Sequence, residues 1–113
     1  MENKDFVHLH VHNQFSVLDG FGSSEQYTKK AKELGFTHLA LTNHGNVDGI
    51  LAFQSACEKN DIKPIFGCEA YIVPDMLVKE KGERRAHINI LVKNEEGWTN
   101  LLKMLTEANV YGF

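Results

Sequence analysis

The chain has 113 residues, with 12 Lys and Arg against 15 Asp and Glu, so its formal net charge is −3. This length fits one domain with a buried core, and the proportions of 42% hydrophobic and 24% charged residues exclude wholesale disorder. The weak acidity argues against a protein that holds nucleic acid by bulk positive charge. It does not exclude a nuclease, because bound metal ions can supply positive charge locally.

Neither the cysteines nor the N-terminus indicates an extracellular protein. Cys57 and Cys68 form neither a disulfide framework nor a CxxC pair. The first residues, MENKDF, lack the apolar core of a signal peptide, and no apolar run approaches the ~20 residues that a membrane span requires. We therefore expect a cytoplasmic protein with no membrane partner.

Short β-like runs alternate with helix-like stretches along the chain. In residues 6–12 (FVHLHVH), apolar residues and histidines alternate, which predicts a first strand with one face of each kind. A loop over 13–22 follows. Ser23 and Gln26 then form a capping box that begins a helix, and Gly35 is a natural stop for it.

The rest of the chain continues the alternation. Its pattern predicts, in chain order, strand 37–42, helix 46–60, strand 62–73, strand 87–92 and helix 95–109. A polar loop over 74–85 is expected to be the least ordered internal stretch. This order predicts an α/β fold on parallel strands. Because so few βα units cannot close an eight-stranded barrel of roughly 250 residues, the chain is a small open sheet or part of a larger domain. We favour the latter.

Histidine carries the functional argument, since five of the six histidines lie within the first 44 residues. His10 and His12 share one face near the end of the first strand, while His44 and Glu69 occupy the ends of the next two. Because parallel strands end at one edge of a sheet, we expect these side chains to converge, with Asp19 in the loop above. Such a nitrogen and oxygen set suits Zn²⁺, Mn²⁺ or Fe²⁺. The donors exceed what one tetrahedral ion needs, which predicts a multinuclear cluster bridged by Glu69.

Each of these residues also has a structural interpretation. An isolated HxH pair on a strand is more often solvent-exposed or hydrogen-bonded than metal-ligating. Glu69 alone would be a solvated carboxylate, and Asp19 followed by Gly20 would be a turn. We interpret His8 as a buried, hydrogen-bonded histidine, and His38 and the two cysteines as structural.

Six stretches of the sequence together resemble the polymerase and histidinol phosphatase (PHP) domain family. They are 6–12 (FVHLHVH), 15–20 (FSVLDG), 40–46 (ALTNHGN), 62–71 (IKPIFGCEAY), 86–94 (AHINILVKN) and 97–101 (GWTNL). The last two resemble the type found at the N-terminus of bacterial DNA polymerase III α subunits more than the free phosphatases. The resemblance implies the first part of a distorted (β/α)7 barrel, incomplete in this chain, with clustered metal ions at the strand ends.

Carried over position by position, the resemblance implies six metal ligands: His10, His12, Asp19, His44, Glu69 and His87. The family's remaining ligands would lie beyond residue 113. His87 begins its predicted strand instead of ending it, so only the resemblance makes it a ligand. Two positions depart from the family pattern, since Asn13 replaces the usual Ser or Thr and Asn43 the usual Asp. Residues behind the ligands change metal affinity by about 10–100-fold, so both departures bear on activity.

The resemblance implies a DNA-directed DNA polymerase as the parent, acting in DNA replication. Its PHP domain would use two or three divalent ions for 3′–5′ exonuclease proofreading, with catalysis by His10, His12, His44 and Glu69. The alternatives are a free phosphomonoesterase of the histidinol-phosphatase kind and a non-catalytic structural module. Implied partners are the DNA 3′ end, the remaining PHP segment and the polymerase domains. Four parallel strands would leave unpaired sheet edges, so we expect the chain alone to be almost inactive and to self-associate.

Overall fold

The computed structural model describes residues 2–78, 82 and 84–112, which form a three-stranded mixed sheet with three α-helices. After a 3₁₀ turn at Asn3–Asp5, the elements are α1 (Ser24–Glu33), β1 (His38–Leu41), α2 (Ile50–Lys59), β2 (Lys63–Ile72), β3 (Ala86–Leu91) and α3 (Glu95–Tyr111). The strands lie in the order β1, β2, β3. None of the described helices is long and apolar enough to cross a lipid bilayer.

Helix α1 begins and ends where the sequence predicts. The Ser23 hydroxyl accepts the backbone N–H of Gln26, and the Gln26 side chain accepts the backbone N–H of Ser23, so the capping box is complete. Just past the helix, Gly35 has a φ of +83°, a left-handed conformation that glycine adopts without a steric penalty. Local sequence signals therefore fix both ends of this helix.

Helix α2 begins later than predicted, at Ile50 instead of residue 46. The side-chain oxygen of Asn46 accepts the backbone N–H of Asp48 at 3.0 Å, which forms a local turn in place of the first helical turn. Gly49 then has a φ of +71°, outside the helical region. Residues 46–49 are thus a turn that leads into the helix.

Residues 6–12, predicted to be the first strand, lie beside β1 without forming a regular strand. The N–H of Ala40 donates to the His8 carbonyl at 3.1 Å, and the N–H of Thr42 donates to the Val11 carbonyl at 2.8 Å. Between these two hydrogen bonds the chain advances by two residues on the β1 side and by three residues in this segment. One extra residue between two hydrogen bonds is a β-bulge. The hydroxyl of Thr42, in place of a carbonyl, accepts the N–H of Val11. The prediction of a regular strand here is wrong.

The predicted burial along this segment is also only partly correct. His8 is exposed, not buried, and its ring packs edge-on against Phe6 and Phe36, with centroids 4.9 and 5.1 Å away. On the predicted apolar face, Val11 packs against the core, whereas Leu9 is 43% exposed. The bulge explains the difference, because an extra residue shifts the alternation of side chains between the two faces.

The sheet is not parallel throughout. β1 and β2 are parallel, with His38 opposite Lys63. β2 and β3 are antiparallel, with Tyr71 opposite His87. The described residues contain no helix between β2 and β3, and strands joined without a crossover helix run antiparallel. The prediction of four parallel strands is therefore wrong in both the number of strands and the direction of the last one.

The predicted polar loop over 74–85 lies only partly within the described residues. Residues 74–78, 82, 84 and 85 are described, and all of them are exposed. The prediction of disorder also covers residues 79–81 and 83, which lie outside the described residues.

Two groups of buried apolar side chains form the core. The larger one joins α1, α2 and β1: Ala31, Leu39, Leu41, Ile50, Phe53, Cys57 and Ile62. The smaller one joins Cys68 to Leu101 and Leu105 of α3, and Trp98 packs against both groups. Burial raises the pKa of the Cys57 thiol to about 12, so this cysteine is a protonated core residue, as predicted.

Candidate metal centre

The six residues that the sequence singles out lie together at the edge where β1 and β2 end and β3 begins. Within the described residues they form three overlapping groups, in each of which the donor atoms lie within 4.8 Å of one another. The groups are His10–His12–Glu69, His12–Asp19–His44 and His44–Glu69–His87. The structure brings together His10, His12, His44 and Glu69, as the strand ends predict, with Asp19 and His87 beside them. We call these residues the six-residue cluster.

Glu69 is the central side chain of this cluster and is only 4% exposed. One carboxylate oxygen, Oε2, lies 2.9 Å from His10 Nε2, 2.6 Å from His12 Nε2 and 3.4 Å from His44 Nδ1. The other oxygen, Oε1, lies 2.9 Å from His87 Nδ1. The two oxygens thus face different histidines, which is the arrangement that a bridging carboxylate requires.

Asp19 reaches the cluster from the loop between residues 13 and 22. Its Oδ2 lies 2.7 Å from His44 Nε2. The N–H groups of Asp19 and Gly20 both donate to the Ser16 carbonyl, at 3.0 and 2.8 Å, so a tight turn carries the carboxylate. Gly20 packs directly on the Asn13 backbone and leaves no room for a side chain. The contact between Gly20 and the Asn13 backbone therefore fixes the turn, and the turn positions the Asp19 carboxylate beside His44.

Tyr71 borders the cluster and was not among the predicted site residues. Its ring is parallel to that of His44, with centroids 5.9 Å apart and an angle of 10°, and it meets the ring of His87 at 4.8 Å. The signal available in the sequence was its position two residues after Glu69 on the same strand, which places both side chains on one face.

Behind the histidines lies a buried polar network. Asn13, Ser16 and Asn43 are 0%, 2% and 1% exposed. The Ser16 Oγ lies 2.7 Å from His12 Nδ1, accepts the backbone N–H of His44 at 3.0 Å and donates to Asn43 Oδ1 at 3.0 Å. Sequence reasoning missed Ser16, because a serine in an irregular loop belongs to no periodic pattern.

The two departures from the family pattern compensate each other. The Asn43 amide donates to Asn13 Oδ1 at 2.8 Å, and the Asn13 backbone N–H donates to Asn43 Oδ1 at 3.0 Å. The Asn13 amide donates in turn to Ser24 Oγ at 3.1 Å. An amide donor at position 43 thus meets an amide acceptor at position 13, so the pair is buried without a charge and without an unpaired polar group.

Charges within the cluster favour the forms that bind metals. Burial lowers the pKa of His12, and the neighbouring His44 lowers it further, against the opposing effect of Glu69. Burial acts to raise the pKa of Glu69, but the hydrogen bond from His10 and the charges of His10 and His44 outweigh it, and the pKa is lowered. A neutral imidazole and an ionised carboxylate are the ligating states of these groups.

The donor atoms also have the spacing that a divalent ion requires. His10 Nε2 and His12 Nε2 are 3.1 Å apart. Two ligands bonded to one ion at ~2.1 Å lie roughly 3.0–3.4 Å apart in octahedral or tetrahedral geometry. Within the described part of the chain, the Nδ1 of His44 is buried with no hydrogen-bond partner. A buried donor nitrogen without a partner, facing a carboxylate, is the environment of a metal ligand, so the residues present fit such ions.

Comparisons with known proteins agree with the resemblance found in the sequence. The model of the PHP domain family matches residues 8–113. DNA polymerase III subunit alpha of Treponema pallidum (strain Nichols) is 42% identical over 116 residues, which cover 99% of this chain and 10% of that protein. The same subunit of Helicobacter pylori (strain ATCC 700392 / 26695) is 41% identical over 113 residues, covering 99% and 9%. The chain thus spans about a tenth of the length of these relatives.

Two solved structures share the fold. A Bifidobacterium adolescentis protein assigned as a metal-dependent phosphoesterase has a TM-score of 0.60 at 20% identity, over 86% of this chain and 31% of its own. An amidohydrolase from Chromobacterium violaceum has a TM-score of 0.65 at 24% identity, over 89% and 32%. At these identities the likeness concerns the fold alone. This likeness confirms the predicted α/β fold class.

Proposed function

Because the chain belongs to the PHP domain family, we propose that the six-residue cluster holds two or three divalent metal ions for the hydrolysis of phosphate esters. The observation that carries this proposal is the position of Glu69, whose two carboxylate oxygens face different histidines in overlapping donor groups. The mixture of imidazole and carboxylate donors suits Zn²⁺, Mn²⁺ or Fe²⁺.

Each side chain has a role in this proposal. His10, His12 and Glu69 would hold one ion, and His44, Glu69 and His87 would hold another. Asp19, which is the most exposed carboxylate of the cluster, lies beside His44 as an outer ligand. When bound, such ions lower the pKa of a water molecule and stabilise the negative charge that develops on a phosphate group. The protein side chains keep the donor atoms in place before the ions arrive.

We propose further that the substrate is the phosphodiester at the 3′ end of DNA. Relatives at 41–42% identity are DNA polymerase III alpha subunits, which supports a 3′–5′ exonuclease within a DNA-directed DNA polymerase that acts in replication. The chain itself has a net charge of −3, so most of the electrostatic attraction for DNA must come from metal ions and from other parts of a longer polypeptide. The remaining PHP segment and the polymerase domains are the proposed partners, and the cytoplasmic location belongs to the same proposal.

A paired assay tests this function. The chain alone, and the longest polypeptide encoded by the gene that contains it, are incubated with Mn²⁺ or Zn²⁺ and either a 5′-labelled DNA strand or p-nitrophenyl phosphate. We expect the longer polypeptide to shorten the DNA from its 3′ end and the chain alone to have little activity. Glu69→Gln is expected to abolish the reaction, whereas Glu58→Gln, on the exposed face of α2, leaves it unchanged.

The other outcomes separate the alternatives. Hydrolysis of the monoester with intact DNA would instead favour a free phosphomonoesterase. No metal-dependent hydrolysis of either substrate by the longer polypeptide would favour a structural module and contradict the proposed function.

A further inference from the structure

The orientation of the Asn43 side chain is fixed by a backbone group. The N–H of Asn13 donates to it at 3.0 Å, and a backbone N–H can only donate, so the accepting atom is the amide oxygen. The N–H of Phe15 fixes the Asn13 side chain in the same way, at 3.0 Å. Asn13 Oδ1 then receives the amide of Asn43 at 2.8 Å. Each donor in this pair meets an acceptor, and the oxygen of Asn43 carries no proton.

This orientation determines where the Ser16 proton lies. Ser16 Oγ is 3.0 Å from Asn43 Oδ1, so the hydroxyl proton must lie between the two oxygens. The lone pairs of Oγ remain, and they accept the backbone N–H of His44 at 3.0 Å and face His12 Nδ1 at 2.7 Å. If Ser16 donated to His12 instead, two buried oxygens would face each other at 3.0 Å with no proton between them.

We propose that Ser16 is a positioning residue that holds the proton of His12 on Nδ1 and so leaves Nε2 free to bind a cation. Nε2 lies 2.6 Å from Glu69 Oε2 and 3.1 Å from His10 Nε2, whereas Nδ1 lies 3.8 Å from the nearer Asp19 oxygen, beyond hydrogen-bond distance. A hydrogen bond from the far nitrogen of a metal-ligating histidine selects its tautomer and ring orientation. The use of Nε2 for a metal rests on the proposed function, whereas the proton on Nδ1 does not, because without a cation Nε2 can share a second proton with Oε2 of Glu69, 2.6 Å away.

Nuclear magnetic resonance tests this inference without any metal or activity. Long-range ¹H–¹⁵N spectra of the metal-free chain at pH 8 show which ring nitrogen of His12 carries the proton. We expect Nδ1–H in the wild type. In Ser16→Ala, Nδ1 loses its acceptor while Nε2 still lies 2.6 Å from a carboxylate oxygen, so we expect the proton to move to Nε2. Zinc affinity, measured with a competing chelator, should fall by about 10–100-fold.

Two variants serve as controls. The double variant Asn13→Ser with Asn43→Asp keeps an oxygen that accepts the Ser16 proton and faces the new carboxylate with a hydroxyl instead of the Asn13 amide oxygen, so the Nδ1–H form of His12 should persist. Thr28→Val removes another buried hydroxyl, one that donates to the Ser24 carbonyl at 2.9 Å, and should leave the tautomer unchanged. If Ser16→Ala does not fold, the spectrum of the wild type still decides the question.

A wild-type His12 without a proton on Nδ1 would overturn the proposal. So would a Ser16→Ala variant that keeps both the Nδ1–H tautomer and the zinc affinity. An Nδ1 proton in a wild type that binds no zinc would support the role of Ser16 and contradict the proposed metal site instead.

Discussion

The carboxylate oxygen Oε1 of Glu69 lies 2.9 Å from Nδ1 of His87, although Glu69 is near the end of β2 and His87 is near the beginning of β3. The antiparallel pairing of the two strands explains this contact, because the start of β3 lies beside the end of β2. The first residues of an antiparallel strand thus lie at the same end of the sheet as the last residues of a parallel strand, and their side chains can join the same site. This direction makes His87 a candidate ligand on structural grounds as well.

The first prediction follows from this contact. His87→Gln removes an imidazole that faces Glu69 and should lower zinc affinity by roughly 100-fold, measured by titration against a chelator of known affinity. His38→Gln is the matched control, since the His38 ring bonds Thr37 Oγ1 outside the cluster and its loss should change the affinity little. Equal effects of the two substitutions would contradict the assignment of His87.

Elements with local sequence signals were predictable. The capping box of Ser23 and Gln26 and the left-handed Gly35 give the ends of α1 directly. The proximity of His44 and Glu69 was predictable for a similar reason, because the two residues lie opposite each other near the ends of adjacent parallel strands.

Features that depend on the rest of the fold were not predictable. An alternating pattern is the same in a regular and in a bulged strand, so residues 6–12 gave no sign of the offset against β1. The alternating pattern is also the same in parallel and antiparallel strands. The connection between two strands decides their relative direction, so the pattern did not give the direction of β3. The turn at Asn46 overrode the apolar periodicity that predicted an earlier start of α2.

A second prediction concerns the turn that carries Asp19. Gly20→Ala places a methyl group onto the Asn13 backbone, so the turn must shift and Asp19 must leave His44. We expect destabilisation of about 1–3 kcal/mol in urea denaturation and at least 10-fold weaker zinc binding.

Gly97→Ala is the comparison for this variant. A methyl group at Gly97 meets only ordinary contacts within the first turn of α3, so the substitution should be neutral or stabilising by up to about 1 kcal/mol. A Gly20→Ala protein with unchanged stability and affinity would contradict the role of the turn.

A third prediction tests the larger core. Phe53 is 1% exposed in α2, and Phe53→Ala should destabilise the chain by about 3–5 kcal/mol through lost burial and the cavity left behind. Leu51 lies on the same helix but is 74% exposed, so Leu51→Ala should change stability by less than about 0.5 kcal/mol. Urea denaturation monitored by circular dichroism measures both. Similar losses for the two variants would contradict the packing described for α2.

A fourth prediction concerns alkaline pH. Burial raises the pKa of Cys57 from 9.0 to about 12, so the folded state holds this proton when the unfolded state has lost it. The stabilising contribution is therefore complete below pH 9.0 and is lost as the pH rises toward 12. Cys57→Ala should remove up to roughly 1.4 kcal/mol per pH unit from the slope of the unfolding free energy in this range.

The control for this slope is Leu105→Ala, which removes a buried side chain that does not titrate. It should lower stability at every pH and leave the slope as in the wild type. A slope in Cys57→Ala equal to that of the wild type would show that the thiol does not stay protonated in the fold.

The most direct test of the central claim is the anomalous difference map of a crystal grown with Zn²⁺ and measured at the zinc edge. We predict at least two peaks within bonding distance of the six-residue cluster, with a different oxygen of Glu69 bonded to each ion and Nε2 of His12 bonded to one of them. The absence of any peak at the cluster, or a single peak with Glu69 unbound, would contradict the account.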